Sequence, residues 1–412
     1  MSKQSENLLT AIDVGSAKVV AVVAEVTDGG LRYRGHGIAD SRGSRRGLIV
    51  DLDKAVSSVQ KAVEQAENAT GAAVERAVVG VAGPHIRGLN SQGGITIGSR
   101  PRDISKEDIK QVIERARAVS LPPDREILHV MPQDFIVDDQ HGIHDPEGMP
   151  GMKLEARVHL ITSATVAAQN VVTVLNLAGI EVEDRAFEAR ASADAVLKQD
   201  ERELGVCVID IGAGSSDLMV VHEGVVVHTG VIPIGGYHFT NDLAVGLCTP
   251  VGDAEMIKRS FGCAVVTRIP EANEIEVPSV GDRPPRMMAQ RLVAEFLEPR
   301  ARELFEMTRD HLRQAGVIDP SGRGFCNTGF VLTGGGARLA GLADIVESVL
   351  HKPSRVATPA SLPKMPAELA EPEFATVIGL LLYGYLARMT RATKHESGPF
   401  RRLKSFFARA RA

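Results

Sequence analysis

Residues Val206–Val227, VCVIDIGAGSSDLMVVHEGVVV, decide how the chain is read. Gly212 and Gly214 follow a β-branched run, which invites comparison with a dinucleotide fingerprint. That motif needs a third glycine and opens a helix. Here position 217 is Asp, and Leu218-Met219-Val220-Val221 continues as another strand. The glycines therefore join strand to strand, and the ligand such a turn holds has to be sought elsewhere in the chain.

A second copy lies near the N-terminus. LLTAIDVGSAKVVAVVAEVTDGGLRYRGHGIAD, Leu8–Asp40, also runs strand, Asp-x-Gly, small polar residues, strand, turn and strand. Asp13 matches Asp210 and Gly15 matches Gly212. Taken singly, each segment is equally well a plain β-hairpin with glycine in its turn. The matched pair favours a duplicated unit with two similar lobes. A turn without Cβ lets successive N–H groups approach an anion as a concave nest. Ser16, Ser215 and Ser216 add hydroxyls, and Lys18 adds a full positive charge. Asp13 and Asp210 would repel phosphate unless Mg²⁺ and its waters lie between, since magnesium takes hard oxygen ligands and keeps water. Two facing hairpins thus predict a Mg-nucleotide, a triphosphate held from both sides. Phe330–Gly341 (FVLTGGGARLAG) adds a strand, three glycines and a predicted helix start near Ala337 or Leu339, which suits the sugar and phosphates of a nucleotide.

Composition sets the outer bounds. The 412 residues are 44% hydrophobic and 24% charged, enough for two or more domains with a real core. A net charge of −5 gives no global argument for nucleic acid, and no nucleic-acid partner is expected. Cys207, Cys248, Cys263 and Cys326 lack CxxC spacing and read as reduced, mostly buried thiols. No secretory signal is read in MSKQSENLLT. The longest apolar run, Val377–Leu386, is about half of the roughly 20 residues a membrane span needs, and predicts a packed helix.

Between Gly83 and Ser163 the pattern is that of a small α/β insert. Ser105 and Asp108 form a capping box for a helix to Ala118, and strands are expected at Ile127–Val130 and Ala156–Thr162 around a loop, His141–Pro150. His141 and His144 read as solvated loop residues. Later, Asp253–Arg259 predicts a helix, and VPSVGDRPPR (Val277–Arg286) predicts turns. An amphipathic helix from about Ala289 is expected to kink or restart at Pro299.

Four stretches together carry a family resemblance: VGSAK (Val14–Lys18), LGVCVIDIGAGSSDL (Leu204–Leu218), VPSVGDRPPR, and VLTGGGARLAGL (Val331–Leu342). They resemble FtsA, the actin-like bacterial cell-division family, within the superfamily of actin, the heat-shock chaperone ATPases and the sugar kinases. The resemblance spans essentially the whole chain. It implies an α/β, actin-like two-lobed ATPase fold with a small α/β insert subdomain in the first lobe and a C-terminal amphipathic helix. The implied divisions are a first-lobe core at 1–83, 163–195 and 357–390, and the insert at 84–162. The second-lobe core is 196–233 and 308–356, with a smaller subdomain at 234–307. A linker at 391–397 leads to a membrane-targeting helix at 398–412.

The cofactors implied are ATP and Mg²⁺. By motif match, Gly15, Ser16, Ala17 and Lys18 serve phosphate, as do Gly212, Ala213, Gly214, Ser215 and Ser216. Asp13 and Asp210 serve the metal and catalysis. Gly235, Gly236, Gly334, Gly335, Gly336 and Arg338 fall on the ribose and α-phosphate side, and Glu255, Lys258 and Arg259 on a helix flanking adenosine. Glu188 falls where many relatives keep a carboxylate near the attacking water, but Ala189 stands where a proline is usual. Glu188 is either that carboxylate or an ordinary helix-start residue. At most weak ATPase activity is implied.

Residues 398–412, GPFRRLKSFFARARA, place Phe400, Leu403, Phe406, Phe407 and Ala410 on one arc at about 100° per residue. Arg401, Arg402, Lys404, Arg409 and Arg411 take the other. That suits a helix lying in a membrane interface, with arginines on anionic lipids. A helix docked on the protein's own core, or a nucleic-acid tail, would not need both faces. The resemblance further implies polymerisation into an actin-like filament at the division septum, on the cytoplasmic side of the inner membrane. FtsZ would be bound by its C-terminal tail at 234–307, where Arg283–Arg286 is part of that region or of a protomer contact, or equally a solvated surface loop, and later division proteins would be recruited. Two other classes fit the same fold. A small-molecule kinase would need an acceptor pocket with its own base; a chaperone-like ATPase would need a substrate domain after the second lobe.

Overall fold

The computed structural model describes residues 7–281 and 283–395. Its frame is two five-stranded sheets built to one plan. In the first, Gly30–Asp40, Lys18–Thr27 and Leu8–Val14 form an antiparallel meander. Arg76–Val81 and then Glu181–Phe187 continue it in parallel. In the second, Val225–Ile232, Ser216–His222 and Val206–Ile211 form the meander, and Phe330–Thr333 and Ser354–Val356 add in parallel. Parallel neighbours need long crossovers, and helices supply them. The expected duplication is therefore one of topology as well as of motif.

Both central strands are apolar on both faces, as strands covered by helices must be. Leu52–Thr70 covers the first sheet, with Asp51 capping its N-terminus through Lys54 N–H and Gly71 closing it in the left-handed region. One core joins the lobes. Val20 and Val22 from the first sheet, Val208 and Met219 from the second, Ala191 from the helix Glu188–Val196, and Ile378 and Leu381 from the helix Ala375–His395 pack in a single cluster. The run Val377–Leu386 is thus a packed helix, as its length required.

The insert is a four-stranded sheet of Gln140–Ile143, Arg125–Val137, Lys153–Ala164 and Arg87–Thr96. A helix, Lys106–Arg117, opens with the Ser105–Asp108 capping box. The loop expected at His141–Pro150 is shorter, because His141 lies in the edge strand. His159 of the insert reaches Thr229 of the second lobe (2.9 Å), so the insert also seats on the second sheet's edge.

In residues 234–314 two helices, Gly236–Gly246 and Val251–Phe261, and a hairpin, Glu274–Val277 with Arg286–Ala289, precede a long helix, Gln290–Gln314. Pro299 does not restart that helix. The missing N–H and the ring clash cost about 3 kcal/mol or more. Val293, Leu297, Ala301, Leu304, Phe305 and Leu312, all buried along one face, outweigh it. The triple glycine also differs from expectation: Gly335–Arg338 is a single 3₁₀ turn, and the α-helix begins only at Leu342. Residues 398–412, with the amphipathic tail, lie outside the described residues. Among the described residues no helix is long and apolar enough to cross a membrane.

Candidate nucleotide site between the lobes

The two glycine turns face each other. A Cβ on Gly214 would stand 3.1 Å from Ser16 Oγ and 2.5 Å from Arg46 Cα, so only glycine lets the hairpins approach this closely. Gly47 N–H donates to Ser16 Oγ (3.0 Å), and Tyr237 Oη donates to the Ser16 carbonyl (2.9 Å) across the lobes. Gly235 and Gly236 fold onto the same loop, with Gly236 N–H donating to the Gly212 carbonyl (2.9 Å) and Tyr237 N–H to Ala213 (2.8 Å). Gly334 has φ +82°, and a side chain there would collide with Asp210 Oδ1. That turn lies against Asp210 and Ile211 at the end of the strand Val206–Ile211.

Behind the turns are four carboxylates, with Asp13, Asp210 and Asp217 buried and Glu188 half-buried. Burial and the Asp210 charge push Asp13 up to about 7, with Lys18 opposing. Asp210 is raised by burial, offset by hydrogen bonds from Ser192 and from Thr376 (2.9 Å). Glu188, at the start of its helix, is held well above the usual range by burial and then by Asp13, Asp217 and Asp210. Its backbone is set by the insert: Phe187 N–H donates to His129 Nε2 (3.0 Å), an imidazole whose burial keeps it neutral.

The fourth carboxylate, Asp217, is the residue that sequence reasoning missed. It pairs directly across the hairpin with Asp210, and burial with that neighbour's charge raises it far above its ordinary value. Like charges opposite one another destabilise a hairpin; the position calls for a proton or a cation. In the first lobe the residue opposite Asp13 is Val20.

Asp13 Oδ1 and Asp217 Oδ1 are buried with no hydrogen-bond partner among the described residues. Asp13 and Asp217 each feel the charge of Asp210, and an orphaned carboxylate oxygen in such surroundings is what a hard divalent cation satisfies. Among the described residues no three His, Cys, Asp or Glu side chains converge to hold a metal by themselves. The set therefore fits Mg²⁺, which keeps several waters and shares ligands with phosphate, better than a metal caged by protein.

The remaining predicted residues divide. Lys18 Nζ pairs with Glu373 Oε2 (2.7 Å) over the Phe374 ring (3.7 Å), and Arg338 pairs with Glu373 Oε1 (2.7 Å). Lys258 Nζ bonds Glu255 (2.7 Å), Thr240 Oγ1 (2.8 Å) and the Gly236 carbonyl (3.0 Å), so the predicted flanking helix does meet the Gly235–Gly236 turn. Arg259 is exposed next to it. Ser216 donates to the Ile234 carbonyl (2.7 Å), which fixes the loop rather than presenting the hydroxyl. Gly15 and Ala17 lie in the first turn, where Ser41 N–H donates to the Ala17 carbonyl (3.0 Å). Ser215 is buried in the second, and Gly335 and Gly336 follow Gly334 in the 3₁₀ turn.

Comparison with known proteins now adds to the geometry. A family model described as cell division protein FtsA matches residues 207–379, and one for the SHS2 domain inserted in FtsA matches 83–162. FtsA of Pseudomonas aeruginosa is 42% identical over 384 residues, 93% of this chain and 90% of that protein. The chain belongs to the FtsA family. FtsA of Escherichia coli K12 is 37% identical, covering 92% of this chain and 90% of its own. FtsA of Bacillus subtilis is 35% identical, covering 92% and 84%.

Solved structures agree on the fold. The PilM–PilN type IV pilus biogenesis complex aligns with TM-score 0.64 at 17% identity, covering 92% of this chain and 98% of that one. MreB5 of Spiroplasma citri bound to ADP aligns at 0.57 and 15%, covering 95% and 99%. The fold is therefore actin-like with an inserted SHS2 domain, in a family of cell-division proteins.

Proposed function

We propose that the chain binds Mg-ATP between its lobes and, as an actin-like polymer on the cytoplasmic face of the inner membrane, ties the FtsZ ring to that membrane. The observation that carries the nucleotide part is the buried carboxylate cluster with two orphaned oxygens, enclosed by glycine turns from both lobes. Asp13 and Asp217 would hold the magnesium ion, with Asp210 acting on its waters; bound there, the ion neutralises phosphate charge. Lys18 and Arg338 bind phosphate, and the N–H groups of Ala213–Ser215 orient it. Glu188, its carboxyl held above the usual range by burial and then by Asp13, Asp217 and Asp210, is poorly placed to act as a strong base, which suits slow hydrolysis and a switch role for the nucleotide.

Family membership supports the division role, and a neighbour of the same fold at TM-score 0.52 is the MamK double helical filament. The FtsZ tail is assigned to residues 234–307 and the membrane contact to 398–412, with later division proteins recruited to the assembled polymer.

Electron microscopy of the protein on anionic lipid monolayers with Mg-ATP, with and without an FtsZ C-terminal tail peptide, tests the proposal. Membrane-bound filaments that retain the peptide are expected. Monomers that ignore lipid, nucleotide and peptide would reject it.

A further inference from the structure

Resting on the reading of the cleft as a nucleotide site, we propose that Glu373 is a positioning residue whose carboxylate competes with ligand phosphate for Lys18 and Arg338. The outcome is passed to the C-terminal helix. Glu373 sits in the 3₁₀ turn Pro372–Phe374, directly before the helix Ala375–His395. One oxygen takes Lys18 of the first lobe and the other takes Arg338 of the second, each at 2.7 Å. The carboxylate thus closes a bridge between the two cations that the cleft offers a phosphate. It is held below its ordinary pKa by both partners, against burial, so it is an anion at neutral pH.

The same short segment is bonded to the rest of the cleft. Gly334 N–H (3.1 Å) and Thr333 Oγ1 (3.2 Å) donate to the Pro372 carbonyl, and Thr376 Oγ1 donates to Asp210 (2.9 Å). Phe374 lies under Lys18. Residues 372–376 therefore touch the first glycine turn, the third glycine turn and one of the carboxylates where the chain enters a 21-residue helix. Two anions cannot both have the two cations at full strength. A phosphate that draws Lys18 and Arg338 inward releases Glu373, and the release loosens the first turn of that helix. Cleft occupancy is then read at the element that leads toward residue 395 and the sequence beyond it.

A merely structural Glu373 would lower affinity when removed; a competitor raises it. Binding of a fluorescent ATP analogue with Mg²⁺ is measured for the wild type, E373Q and E371Q, with amide hydrogen exchange followed in residues 371–380. E371Q makes the same charge change, but Glu371 reaches Arg338 only at 4.0 Å and does not engage Lys18. E373Q is expected to bind about tenfold tighter, because one charge-assisted competitor is lost, and E371Q within about twofold of wild type. Nucleotide should speed exchange at 371–380 in the wild type, and E373Q should show that faster exchange before nucleotide is added. Unchanged or weaker binding by E373Q, or a nucleotide-induced rise in protection of this segment in the wild type, overturns the proposal. A wild type that binds no analogue overturns the cleft reading itself.

Discussion

Asp13→Asn should make the protein more stable and weaken its hold on Mg-nucleotide. The Asp13 carboxyl has a folded pKa of about 7 against an ordinary 3.8. Its raised value means that folding is favoured by the protonated form. The group's contribution is complete below its unfolded pKa and is lost as pH rises through about 7. A shift of this size corresponds to about 4 kcal/mol of penalty once both states are ionised, and to about 2 kcal/mol at pH 5, where the folded state still carries its proton. Asparagine, neutral at every pH, removes that penalty. Urea denaturation without nucleotide should therefore find wild-type stability falling from pH 5 to pH 8, and the advantage of D13N growing from about 2 to about 4 kcal/mol over the same window. Analogue binding with Mg²⁺ should drop by more than about tenfold in the same variant, since a cation ligand is gone. Denaturation midpoints for the two proteins that stay parallel across pH, or a D13N that is the less stable at pH 8, would refute the electrostatic account of the cluster.

Three further outcomes follow from other residues. Asp217→Asn should also stabilise the ligand-free protein, since a donor then faces Asp210, while weakening Mg²⁺-dependent analogue binding about tenfold or more; equal binding with and without the change would remove Asp217 from the metal set. Gly334→Ala should cost roughly 3 kcal/mol or more, because a left-handed φ and a collision with Asp210 act together; a melting temperature within a degree of wild type would contradict the packing described. Replacing Phe406 and Phe407 with Glu should release the protein from anionic liposomes, and unchanged co-sedimentation would reject the assigned membrane helix.

What could be read without coordinates was local. The paired Asp-x-Gly hairpins, the Ser105–Asp108 cap and the packed run Val377–Leu386 depend on neighbours a few residues apart, and the structure keeps all three. What escaped depended on pairing or on distance. Asp217 stood in plain view as the residue that spoiled a dinucleotide motif. Its meaning lay in the register that sets it opposite Asp210. Glu373 is 355 residues from Lys18 and carries no motif, so nothing short-range marks it. The unbroken helix through Pro299 escaped for a related reason. The proline's helix-breaking tendency is local, and the buried face that overrides it is assembled from the strands and helices of the second lobe.

The lobes are alike in topology and unlike in charge, and the difference explains why the site needs both. Across from Asp13 the first hairpin has Val20 and, at its turn, the cation Lys18. The second has Asp217 opposite Asp210, with no charged residue among Gly212–Ser216. The second hairpin alone would bring two carboxylates together with nothing to balance them, and the first alone would offer one lysine and one aspartate. Brought together, they form a site that runs from the carboxylates Asp210 and Asp13 to the cations Lys18 and Arg338. A cation with its polyphosphate matches that order along its own length, cation inward and phosphate toward Lys18. On the proposed reading neither half would bind such a ligand fully, so the ligand's own charge distribution would draw the lobes together.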